Sequence, residues 1–103
     1  MNLKLLNLIA SDGSRHFGSL PQTLLWEKVR NHISTLPNAR FEDFVTDGVT
    51  EAWIDFSYRG YKFSINDQLG EYLFFVSDRN CPETTLIKVM SHFAKLLVPT
   101  NTE

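Results

Sequence analysis

The sequence predicts an α+β fold: a four-stranded antiparallel meander with helices packed on one face and a C-terminal helix after the last strand. Three observations predict it. Apolar and polar residues alternate between positions 39 and 77, the two-residue period of half-buried strands. Asp47-Gly48 and Arg59-Gly60 divide that stretch as short turns. On both sides of it the apolar residues recur every three or four positions, the period of a helix face. A chain of 103 residues fits one core, so a single domain is expected over 1–103.

Residues 2–10 place Leu3, Leu6 and Ala10 at helical spacing, with Leu5 and Ile9 beside them. Few of these residues are β-branched, so the spacing predicts a short helix that ends near Gly13. A second helix is expected at about 20–35. Ser19 can cap it and Gln22 can complete a reciprocal capping box. Pro21 lies in its first turn, where a missing N–H costs little. Leu25, Val29, Ile33 and Leu36 form its apolar stripe, with Trp26 alongside, and Pro37 stops it.

Strands follow at roughly 39–46, 49–58, 61–66 and 71–77. The two-residue turn at Arg59-Gly60 sets Tyr58 opposite Tyr61, Phe56 opposite Phe63 and Ile54 opposite Ile65. A four-residue loop at 67–70 then aligns Ile65 with Tyr72 and Phe63 with Phe74. Both turns put the large apolar residues on one face. The other face carries Trp53, Asp55, Ser57, Lys62, Ser64, Glu71, Leu73 and Phe75. The last helix begins after Asn80-Cys81, with Pro82 at its first position. Leu86, Met90, Phe93 and Leu97 are its buried stripe, supported by Ile87, Val89 and Ala94. Residues 98–103 form a polar tail.

The chemistry-bearing residues are sparse. The single cysteine, Cys81, cannot form an internal disulfide and suits a reducing compartment. No apolar run approaches the roughly 20 residues of a membrane span, and the apolar stretch near the start is shorter than a secretion signal requires. A cytoplasmic protein is expected. Cys81 at a helix start could ionise easily, yet no histidine is brought near it by sequence, so a structural thiol is expected. His16, His32 and His92 lack the spacing of a zinc site. Asp55 and Glu71 share a sheet face without any sign of a lid or pocket for acid–base work. Asp78 and Asn80 read as turn or cap residues before the last helix. No catalytic residue, metal ligand or cofactor-binding motif is assigned.

Charge is unevenly distributed. Residues 42–83 hold nine carboxylates against three cations, a balance of −6, and the rest of the chain stands at +4. An acidic sheet disfavours nucleic acid and suits a basic protein partner. It also suits a solvated sheet edge guarded against aggregation. Trp53, Leu73 and Phe75 clustered on one face imply a covered surface. The expected cover is the N-terminal helix, a second copy or another protein. Trp53, Asp55, Glu71, Phe75 and Asp78 are the candidate partner-binding residues.

The segment Ala52-Trp53-Ile54-Asp55-Phe56-Ser57-Tyr58-Arg59-Gly60-Tyr61-Lys62-Phe63-Ser64-Ile65-Asn66 resembles short bacterial proteins of uncharacterised families. Its continuation does too: Gly70-Glu71-Tyr72-Leu73-Phe74-Phe75-Val76-Ser77-Asp78, then Cys81-Pro82. Some small proteins of this kind resemble immunity proteins of polymorphic toxin systems, including contact-dependent growth inhibition. The resemblance spans residues 49–97 and carries no catalytic motif. It implies an intracellular inhibitor that binds and neutralises one cognate toxin domain, often a nuclease. The alternative expectation is a homodimeric ligand-binding or adaptor domain using the same sheet face, with no catalytic activity.

Overall fold

The computed structural model describes residues 5–46, 52–67 and 70–98. In chain order the elements are β1 (Leu8–Ile9), β2 (Arg15–Pro21), α1 (Trp26–Ile33), β3 (Ala39–Thr46), β4 (Ala52–Tyr58), β5 (Tyr61–Asn66), β6 (Glu71–Val76) and α2 (Glu83–Leu97). The fold is α+β, and the last helix follows the last strand as expected. The sheet has six strands rather than four, in the order β1-β2-β6-β5-β4-β3. The expected meander is its β3–β6 half, and all the pairings are antiparallel.

The two added strands come from the end of the expected first helix and from the expected loop and start of the second helix. Leu8 and Ile9 pair with His16 and Arg15, and Leu6 N–H donates to Phe17 O at 2.8 Å. The turn between them is local: Gly13 sits at φ 89°, and the Asp12 carboxylate accepts from Ser14 N–H and Oγ at 3.0 and 2.7 Å. Helix spacing is a weak prior in so short a run, and the open edge of β2 offers its backbone groups partners. The rest of the expected first helix, residues 2–4, lies outside the described residues.

Ser19 and Pro21, expected to start the second helix, instead end β2. Ser19 pairs with Leu73 and Pro21 with Glu71. The helix starts later, at Trp26, with Leu25 as an N-cap residue that makes no side-chain cap bond. Leu25 is therefore 77% exposed instead of joining the stripe, whereas Val29, Ile33 and Leu36 are buried. The edge of β6 decided this, since an unpaired strand edge is completed by residues 15–21 and a capping box competes poorly with a ladder of backbone bonds.

The β4–β5 register is as expected, with Tyr58 opposite Tyr61, Phe56 opposite Phe63 and Ile54 opposite Ile65. The β5–β6 register differs by two residues: Ile65 faces Phe74 and Phe63 faces Val76. A shift of two preserves which face each side chain occupies. It frees Tyr72 to pair with Leu20 of β2, and its hydroxyl donates to Leu24 O at 2.5 Å. The expected Asp47-Gly48 turn, the start of the second meander strand and the 99–103 tail lie outside the described residues.

Both helices cover one face of the sheet. Phe17, Ile54, Phe56, Phe63, Ile65, Phe74 and Val76 meet Val29 and Ile33 of α1 and Leu86, Val89, Phe93 and Leu97 of α2 in one core. Phe93 lies at its centre, with its ring 5.8 Å from Phe56 and 5.3 Å from Phe74. Pro82 caps α2 rather than opening it, and Ile87, expected to support the stripe, is 41% exposed on its flank. In β2 a register shift between His16 and Gly18 turns Gly18 toward Met90. Bare backbone is needed there, because a Cβ would stand 2.6 Å from Met90 Cε.

Candidate functional site: the open face of the sheet

No described helix covers the opposite face, and the strand register orders its side chains into three transverse rows. The first runs Val45, Trp53, Asn66, Leu73 and Ser19. The second runs Asp43, Asp55, Ser64, Phe75, His16 and Leu8 across all six strands. The third holds Arg40, Ser57 and Lys62, with Ser77 N–H bonded to Lys62 O at 2.9 Å. Successive rows are separated by two residues of strand, about 6.6 Å. The face thus passes from apolar through acidic and aromatic to basic over a short span.

A groove of about 530 Å³ follows these rows, lined by Asp12, Ser14, Glu42, Trp53, Asp55, Lys62, Ser64, Phe75 and Ser77 among others. The β1–β2 turn forms one wall. Phe75 forms part of the floor, its ring stacked on His16 at 4.9 Å and 23° between planes. Asp55 is held in place by the Ser64 hydroxyl, which donates to its carboxylate across the strand pair. Glu42 enters the lining because β3 shifts register between Phe41 and Asp43. The extra residue of such a bulge turns successive side chains toward one face. Asp43 and Asp55 then stand directly opposite each other, an arrangement of like charges that costs stability in a two-strand pair.

The candidate partner-binding residues divide. Trp53, Asp55 and Phe75 converge on the groove. Glu71 lies at the far end of β6, exposed and paired with Pro21. Asp78 lies in the loop beyond β6, where its carboxylate accepts from Asn80 N–H at 2.9 Å and its carbonyl accepts from Cys81 N–H at 3.0 Å. Leu73, the third member of the apolar cluster expected to be covered, is 9% exposed. Alternation places Lys62 and Ser64 on this face. His16 and Asp12 are not expected here, because the pattern predicts a loop between two helices for their segment, and no sequence signal marks the bulge that brings in Glu42.

Cys81 is buried, and its Sγ lies 3.9 Å from Pro82 O. Burial first, then the negative charge of Asp78, pushes its pKa up to about 11, so the group is a neutral thiol at physiological pH. Any advantage from the helix start is outweighed by desolvation. Among the described residues no set of three or more His, Cys, Asp or Glu side chains is placed to hold a metal ion, and no helix is long and apolar enough to cross a membrane. Buried Arg15 forms an ion pair with exposed Glu83 at 3.5 Å, on the helix side. Comparison of the chain with protein-family models, curated proteins and solved structures finds no match.

Proposed function

We propose that this chain is an immunity-type binding protein that neutralises a cognate, basic, nuclease-like toxin domain by holding it against the open sheet face. The observation that carries this reading is the groove itself: two large aromatics, Trp53 and Phe75, beside the carboxylates Asp12, Glu42 and Asp55 on a face that no described helix covers. Toxin domains that act on nucleic acid need basic surfaces to hold phosphates. Carboxylates at the groove would attract such a surface at long range and raise the association rate. The aromatics would supply the anchors that slow dissociation. Lys62, in the same groove, demands a matching acidic group and so adds selectivity between partners. The protein acts in the cytoplasm by occlusion and performs no chemistry of its own.

The test uses the toxin domain encoded beside this chain, purified and measured by surface plasmon resonance at two salt concentrations. Tight binding is expected, with Asp55→Asn and Glu42→Gln slowing association and flattening its salt dependence. Phe75→Ala is expected to speed dissociation, at a cost of about 2 kcal/mol or more. Tight binding that none of the three variants alters would place the toxin on another surface. A protein that ignores the toxin domain and dimerises through Trp53 and Phe75 would instead be an adaptor.

A further inference from the structure

Two histidines 60 residues apart in the chain meet between α1 and α2, on the side of the sheet away from the groove. Their rings stack with centroids 3.9 Å apart and 18° between planes. His32 Nε2 lies 2.7 Å from His92 O, and His92 Nε2 lies 2.9 Å from His32 O. A carbonyl oxygen can only accept, so both Nε2 atoms carry hydrogen. Thr35 completes the arrangement: its hydroxyl donates to His32 O at 2.7 Å and lies 3.0 Å from His92 Nε2. The neutral pair therefore makes a reciprocal clasp in which each ring ties its own helix to the other helix's backbone.

A proton added to either ring goes to Nδ1 and leaves these bonds intact. Protons on both rings put two cations face to face at van der Waals distance. Among the described residues no carboxylate pairs with either ring. Lys28 lies one turn before His32 and Lys88 one turn before His92, and Lys95 acts on His92 from the next turn. The charged residues of β3, which packs on α1, are Arg40, Glu42 and Asp43, and all belong to the open face. Of the charged groups on β2, which packs on α2, His16 faces the groove and Arg15 is held by Leu6 O and Glu83 at the other end of α2. The core-facing residues of β4, β5 and β6 are uncharged. Phe93 meets the edges of both rings, at 5.5 and 5.4 Å.

We propose that the His32–His92 pair is a proton-operated latch: the neutral or singly charged pair closes α1 onto α2, and charging both rings releases the C-terminal end of α1. In keeping with this, burial chiefly, with His32 and Lys95 adding to it, holds His92 below the usual imidazole value against the opposing effect of its bond to His32 O. The folded state then binds fewer protons than the unfolded chain below about pH 6.5. Stability contributed by the latch is complete above that pH and is lost as the pH falls. Each proton excluded at pH 5 lowers the folding constant by up to about 30-fold.

The experiment follows both imidazoles by NMR between pH 8 and 4.5 and measures amide exchange in α1, corrected for intrinsic rates, at pH 7.5 and 5.0. The wild-type chain should show a His92 titration displaced below 6.5 and a selective loss of protection in α1 at pH 5.0. His92→Gln keeps a donor for the His32 carbonyl and removes one titrating ring, so its α1 protection should vary much less with pH. His16→Gln, on the other face, should behave as wild type. An undisplaced His92 titration in the wild-type chain, or equal α1 protection at the two pH values, would overturn the latch. So would a His92→Gln variant with the full wild-type pH dependence.

Discussion

Gly18→Ala tests the closest approach between the sheet and α2. An added Cβ would meet Met90 Cε at 2.6 Å and Sδ at 2.8 Å, about 1 Å inside ordinary carbon contact. Met90 is only 4% exposed, so its thioether can move only by displacing packed neighbours. Overpacking of this kind costs about 1–3 kcal/mol, and the flexible end of a methionine keeps the cost in the lower half of that range. Against it stands the gain of about 0.4–1 kcal/mol from stiffening the unfolded chain, since Gly18 does not occupy the left-handed region. The expected net effect is a loss of up to about 1.6 kcal/mol. Urea unfolding with unchanged m-value reads it directly. The decisive comparison is the same substitution in a Met90→Ala background, where the obstruction is gone and Gly18→Ala should become neutral or stabilising. An equal loss in both backgrounds would refute the contact as its cause.

Phe93→Ala should cost about 3–5 kcal/mol by chemical denaturation, because a fully buried ring that joins α2 to Phe56 and Phe74 leaves a cavity the sheet cannot close. A loss below about 1 kcal/mol would mean that α2 is not packed as described. Cys81 should resist alkylation at pH 7 in the folded chain and react on unfolding, which a timed thiol assay with and without urea will show. Because folding raises this thiol from 9.0 to about 11, its contribution to stability is complete below pH 9 and is lost as the pH rises toward 11. Cys81→Ser should remove that alkaline loss and leave toxin binding intact.

Much of the fold could be read from local pattern. Alternation from residue 39 onward and the Arg59-Gly60 turn specify which face each side chain of β4 and β5 occupies, because the strand period is two and the turn leaves no slack. The stripe Leu86, Met90, Phe93 and Leu97 likewise specifies α2. Parity survives a register error of two, so the open face was legible even though β6 slides relative to the expected pairing. Trp53, Asp55 and Phe75 were legible as sharing that face for that reason, and the two-residue slide puts Phe75 in the row of Asp55. Residues 5–21 were not. The spacing up to Ala10 suits a helix and Ser19 to Gln22 suit a helix start, and only the unpaired edge of β6, distant in sequence, makes a strand the better use of these backbone groups. The bulge that brings Glu42 to the groove and the clasp of His32 with His92 depend on the same kind of long-range fit. Local periodicity reports which way a side chain faces, and only packing decides what it meets.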